Sequence, residues 1–200
     1  MPRPSLANLR TEAFLDAFMR CVARYGLDGS TLDRVSEEAG VARPMLRHYL
    51  GNRDEMVDAL FKHVIEKFAA TTEYLFQSLP DLDPSSDAPM LRVETLLDML
   101  FDAISHEAEN AAVYQALVAA SHRHAGMADA LMGFVTSFER QITTELTRAF
   151  PQADPSKCAV VAAGITAVYF NHDAAMPLDP PTSWRDRQRA VADLLIASLA

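Results

Sequence analysis

No apolar run in this 200-residue chain approaches the roughly 20 residues that a membrane-spanning helix needs, and Met1 to Asn8 lack the apolar core of a secretory signal. A cytoplasmic protein without a membrane partner is expected. Cysteine is nearly missing. Cys21 and Cys158 lie far apart within helical patterns, so two buried thiols are expected rather than a disulfide, and no CxxC or Cys/His ligand spacing exists. Catalytic signatures are missing too, with no GxSxG, P-loop or HExxH. His122 and His124, two apart on an expected helix, point about 200° from each other and cannot share a metal. Asn171, His172 and Asp173 diverge likewise, and His172 suits the negative end of its helix. Neither a cofactor nor a metal is expected, and a metal-dependent enzyme is the least supported class. Lysine is scarce as well, 3 against 15 arginines, which with abundant alanine is the composition of a GC-rich bacterial genome.

What is present suits a folded chain of one domain or two small ones, since 50% of the residues are apolar. The net charge of −9 is unevenly spread: residues 1–53 carry +2 and residues 54–200 carry −11. An acidic protein still binds DNA when its positive groups share one face and the acidic bulk points away, and such binding weakens with salt.

The most informative stretch is residues 31–53, TLDRVSEEAGVARPMLRHYLGNR. Val35, Ala39 and Leu46 are spaced to face one small core, and Gly40 stands where a chain leaving a helix needs a positive φ. Two short helices and a tight turn are predicted, the second over about residues 43–49, roughly 10 Å long and comparable to the depth of a major groove. Its outer face would carry Arg43, Arg47, His48 and Tyr49, with guanidinium forks for guanine or phosphate and rings that hydrogen-bond phosphate oxygens. Helical hairpins with a glycine turn are nonetheless common, and surface arginines are usually solvated.

Around this stretch, Leu9, Ala13, Phe14, Ala17, Phe18, Cys21 and Val22 form an apolar stripe on a first helix that Gly26 ends. Ser30 or Thr31 can cap the second helix. Asn52, followed by Arg53, Asp54 and Glu55, has the pattern of a capped start for a fourth helix, whose stripe of Met56, Leu60, Val64 and Phe68 runs on toward Leu79.

These motifs make residues 9–60, about a quarter of the chain, similar to the N-terminal domain of TetR-family transcriptional regulators. The shared features are Tyr25-Gly26, Thr31, the spacing from Val35 to Ala39-Gly40-Val41, a recognition helix, and a basic residue opening the next helix. Departures are Arg47 where an aromatic is usual, Leu50 for Phe, and Ala42 where a serine often caps the recognition helix. Loss of that cap costs about 1 kcal/mol, offset in part by Pro44 in the first turn; proline also disfavours helical backbone before it, which makes Arg43 a candidate cap. The resemblance implies an operator-binding repressor whose DNA contacts come from Thr31, Arg43, Pro44, Met45, Arg47, His48, Tyr49 and Arg53, with Arg43 expected at bases and Arg53 at phosphate.

Downstream, the proline-rich residues 80–89 read as a loop, and helices are predicted over about 90–107, 110–124, 127–150, 155–173 and 181–199. The middle helices resemble the family's inducer-enclosing region. Phe101, Asn110, Tyr114, Gln115, His122, Phe134, Phe138 and Gln141 are the candidate contacts for a small apolar effector. Ala163, Gly164, Ala167 and Val168, with Leu194, Leu195 and Ser198, suggest a close helix pair. In the family such a pair packs against its copy, so these residues are candidates for a homodimer interface, although an intramolecular pair explains them equally.

The expected architecture is all-α, with residues 1–50 reading double-stranded DNA and residues 51–200 binding ligand and dimerising. The alternative is a helical small-molecule-binding or adaptor dimer that no longer binds an operator.

Overall fold

The computed structural model describes residues 6–81, 88–101 and 108–200, and every regular element among them is helical. Nine α-helices are described: α1 Leu6–Gly29, α2 Leu32–Glu38, α3 Arg43–Leu50, α4 Arg53–Gln77, α5 Ala88–Phe101, α6 Ala108–Ala120, α7 Met127–Ala149, α8 Pro155–Ala175 and α9 Thr182–Ala197. The fold is all-α, as the periodicities predict. Most of the predicted 80–89 loop, and residues 102–107 of the predicted 90–107 helix, lie outside the described residues. Pro89 falls within the first turn of α5, where a missing N–H costs nothing.

The chain divides into two compact units, Met1–Phe68 with Glu109–Leu131, and Ala69–Ala108 with Met132–Ala200. This is not the division after residue 50 read from the sequence. Val57, Leu60, Phe61 and Val64 of α4 share one core with α1, α2 and α3, and also with Val113 and Leu117 of α6 and Met127 and Leu131 of α7. Apolar burial, not the end of the helix-turn-helix, sets the boundary.

In the first unit, Phe14, Ala17, Phe18, Cys21 and Val22 are buried, but Leu9 and Ala13 of the expected stripe are exposed, and Leu15 and Met19 are buried instead. Helical backbone breaks at Gly26 (φ 68°). The carbonyls near this break are used by Arg53, which donates from Nη1 to the Ser30 carbonyl (2.8 Å) and from Nη2 to the Leu27 carbonyl (2.6 Å). Its guanidinium lies 5.0 Å from the centre of the Phe18 ring, and burial pushes its pKa down. The Arg53 expected at phosphate has its fork occupied within the protein, where it ties the start of α4 to the end of α1. The predicted cap follows, with Asn52 Oδ1 accepting from the Asp54 and Glu55 amides and Glu55 Oε2 accepting from the Asn52 amide.

In the second unit, Leu96, Leu97 and Leu100 of α5, Phe138, Ile142 and Leu146 of α7, Val161 and Ile165 of α8 and Ile196 of α9 form the core. Helices α8 and α9 approach closely at Gly164, where an added Cβ would stand 2.9 Å from Leu195 Cδ1. Leu195 packs on its own chain's core, so these two residues serve the intramolecular pair. Arg92 of α5 meets Glu145 of α7 through two bonds of 2.8 and 2.9 Å and donates to the Pro80 carbonyl at 2.5 Å. The side chains are 11% and 5% exposed, so neither charge has water to fall back on.

Two stability outcomes follow from these anchors. Glu145→Ala leaves a buried guanidinium unpaired and is expected to cost about 3 to 5 kcal/mol in urea unfolding, with recovery in Arg92→Met/Glu145→Leu, where both charges leave together. Arg53→Ala is expected to cost about 2 kcal/mol, and Arg53→Lys most of that, because an ammonium does not fork to two carbonyls. Unchanged midpoints in either series would remove the corresponding anchor.

Candidate nucleic-acid interface

Thr31, rather than Ser30, caps α2: its backbone is extended and its hydroxyl accepts from the Arg34 amide at 3.4 Å. Ser30 is buried and donates instead to the Gly26 carbonyl at 2.7 Å. Helix α2 ends in a left-handed turn at Gly40 (φ 65°), where the Gly40 amide donates to the Glu37 carbonyl and the Val41 amide to the Ser36 carbonyl. This double closure satisfies two end carbonyls and fixes the exit direction of the chain. Arg20 and Arg24 of α1 both reach Glu38, at 2.6 and 2.9 Å, and hold its carboxyl below the usual range.

Helix α3 begins after Ala42, which is extended and supplies no side-chain cap. Arg43 is thus the first helical residue and not the cap, since the restriction that Pro44 imposes is overcome where the Met45 amide bonds the Ala42 carbonyl at 2.9 Å. Leu46 and Leu50 are buried, leaving Arg43, Pro44, Met45, Arg47 and His48 exposed along one side. Tyr49 is half-buried and ties α3 to α1: its ring meets Phe14 edge-on at 5.5 Å, and its hydroxyl accepts from Arg10 at 3.2 Å. Arg10 was not legible from the sequence as a neighbour of this surface, because only the fold brings α1 there.

The arginines counted as positive charge are mostly engaged. Arg34 donates to the Gly29 carbonyl at 2.6 Å and covers the Tyr25 ring; Arg53 is held as described; Arg43 is ion-paired with Asp33. Among the described residues, Arg47 is in no ion pair. The face of α3 offers one uncommitted guanidinium, an imidazole, an exposed methionine and a tyrosine edge, beside the start of α2 at Thr31.

The candidate effector contacts fall in both units. In the first, Tyr114 lies 6.4 Å from Phe68, Asn110 is partly buried, and Gln115 and His122 are exposed. His124 lies 3.9 Å from Asp58. In the second, Phe134 and Phe138 meet Phe170 at 6.4 and 6.1 Å, Phe101 meets Tyr169 at 6.4 Å, and Gln141 is partly buried. Phe76, Tyr169, Phe170 and Trp184 complete this aromatic group and were not read from the sequence, where single aromatics on separate helices carry no joint signal. His172 is fully buried, with Phe101 at 5.3 Å and Trp184 stacked at 5.8 Å, so packing rather than the helix end accounts for it. Burial pushes the Tyr169 hydroxyl well above its ordinary pKa. On α8 and α9, Ala167, Leu194 and Ser198 are exposed, while Ala163, Gly164, Val168 and Leu195 are partly covered. Among the described residues, no helix is long and apolar enough to cross a membrane.

Residues 14–60 match the family model described as bacterial regulatory proteins, tetR family. The HTH-type transcriptional regulator BetI of Burkholderia mallei is 30% identical over 103 residues, covering 51% of this chain and 49% of that protein. BetI of Burkholderia ambifaria is 32% identical over 74 residues, 36% of this chain and 38% of that protein. The chain thus spans about half the length of the curated relatives it matches. Among solved structures, a putative transcriptional regulator from Pseudomonas aeruginosa superposes with a TM-score of 0.74 at 15% identity, covering 96% of this chain and 90% of that one. A TetR transcription regulator from Haloarcula marismortui gives 0.71 at 16% identity, with 96% and 98% covered. The likeness to these structures establishes the fold across nearly the whole chain, and within that fold residues 14–60 carry the helix-turn-helix that matches the tetR family of bacterial regulatory proteins.

Proposed function

We propose that the chain is a sequence-specific DNA-binding transcriptional regulator, a homodimeric repressor released from its operator by a small apolar ligand. The observation that carries this reading is the α2–α3 pair, with Leu46 and Leu50 buried beneath α3 and Arg47, His48 and Met45 turned outward. Helix α3 has eight residues and reads only a few base pairs, so useful specificity needs two copies in successive major grooves, about 34 to 36 Å apart.

Exposed apolar side chains on α8 and α9 support that pairing. Val160 (71% exposed) and Ala167 on α8, and Val191 and Leu194 (72% exposed) on α9, recur at helical spacing and face solvent. Large apolar side chains grouped in this way favour a partner, and a two-fold axis would bring each patch onto its copy. The aromatic group around Phe138 supports an apolar effector. Whatever the ligand, linkage requires that operator DNA weaken its binding by the same factor by which it weakens operator binding. A regulator that has kept its dimer and ligand but lost its operator is the competing reading, favoured by the internal engagement of Arg20, Arg24, Arg34 and Arg53.

The deciding experiment is selection of bound duplexes from random and genomic DNA, with and without a metabolite panel. Enrichment of a near-palindromic site that a ligand abolishes is expected, whereas no enrichment leaves the competing reading. On the enriched site, Arg47→Ala is expected to cost about 1 to 3 kcal/mol and to relax preference at one guanine per half-site. The parent should sediment as a dimer at micromolar concentration. Leu194→Arg should be monomeric with unchanged helicity and operator affinity at least tenfold lower; a dimeric Leu194→Arg would move the interface elsewhere.

A further inference from the structure

Asp33 lies in the first turn of α2 and Arg43 is the first residue of α3, so their ion pair spans the starts of both helices. The two side chains are 56% and 59% exposed, and Arg43 Nε is ion-paired with Asp33 Oδ1. Building on the DNA-reading function above, we propose that Asp33 sets what the recognition helix reads, holding Arg43 as its own counter-charge and leaving base recognition to Arg47.

In water, an exposed pair of this kind contributes little and opens freely. Against a duplex the balance changes, because the approaching phosphates exclude water and are themselves negative, so an unpaired Asp33 carboxylate there is penalised twice. If Arg43 leaves Asp33 for a guanine it gains a contact worth roughly 5- to 150-fold in discrimination. Doing so strands a carboxylate at the interface, which costs roughly 30-fold to several thousand-fold when truncations at buried charge pairs are the guide. The second quantity exceeds the first, so the pair stays closed on DNA. Among the described residues, the other arginines of α1, α2 and α4 near the helix-turn-helix are mostly engaged elsewhere. Arg20 and Arg24 are on Glu38, Arg34 is on the Gly29 carbonyl, and Arg53 is on the carbonyls of Leu27 and Ser30. Arg43 and Asp33 thus act together as a neutral spacer against the backbone, and the charge that meets the groove floor belongs to Arg47, one turn further along α3.

The test uses the full-length parent, Arg43→Ala, Asp33→Asn, Asp33→Asn/Arg43→Ala and Arg47→Ala, titrated with the duplex selected by the parent and with a random duplex over a range of salt. Arg43→Ala should lose at least tenfold on both duplexes with base preference unchanged, and Asp33→Asn/Arg43→Ala should return to within about threefold of the parent. Asp33→Asn alone should bind both duplexes more tightly, steepen the salt slope by about 0.9, and enrich a guanine that the parent does not select. Asp33→Ser should repeat the Asp33→Asn pattern, and all helicities should match the parent. Loss of one guanine preference in Arg43→Ala, unrescued by Asp33→Asn, overturns the inference while leaving DNA reading intact. An Asp33→Asn affinity and salt slope equal to the parent's overturns it as well. Absence of binding by the parent and every variant defeats the DNA reading itself, and this inference falls with it.

Discussion

The helix-turn-helix depends on a guanidinium that is spent inside the protein. Between the Gly26 break and the cap at Thr31 the chain makes one short further helical turn, and the carbonyls of Leu27 and Ser30 both accept from Arg53. Without that fork, the start of α4 would be joined to the end of α1 and the start of α2 mainly by apolar contact, which is strong but has no direction. Hydrogen bonds from a planar donor supply the direction. The face of α3 is aimed by α1, α2 and α4, so this side chain shares the aiming with the Gly40 turn and the Tyr49 contacts to α1.

The sequence revealed what local chemistry controls. Val35, Leu46 and Gly40 were readable because helical period and left-handed backbone are decided within a few residues, and the asparagine cap of α4 was readable for the same reason. The partners of the charged groups were not. Arg92 and Glu145 stand 53 residues apart, and Arg53 reaches back 26 residues to Leu27, so nothing near either arginine in the chain announces its acceptor. The make-up of the two compact units was illegible in the same way: Val113 and Leu117 look like any apolar pair until they share a core with α4. The site was half legible, its exposed face predicted and its engaged cations not.

Charge counting shows the same limit from another side. Residues 1–53 carry a net +2, yet most of that positive charge serves to hold helix ends, cover a tyrosine ring or answer a carboxylate. A basic total therefore describes the raw material of a DNA-binding surface and not its field. What approaches the duplex is set by which cations the fold leaves uncommitted, and here the fold commits most of them.

The placement of the two cysteines has a use of its own. Cys21 is 1% exposed in the first core, where burial pushes its thiol pKa up, and Cys158 is 0% exposed in the second. Neither sulfur meets a water-borne alkylating reagent until the core around it opens. Because the chain has no other cysteine, the modification rate at each position is a clock on one unit alone. A single labelling time course, resolved by peptide mass, would time the opening of the two halves of this molecule separately and without any engineered probe.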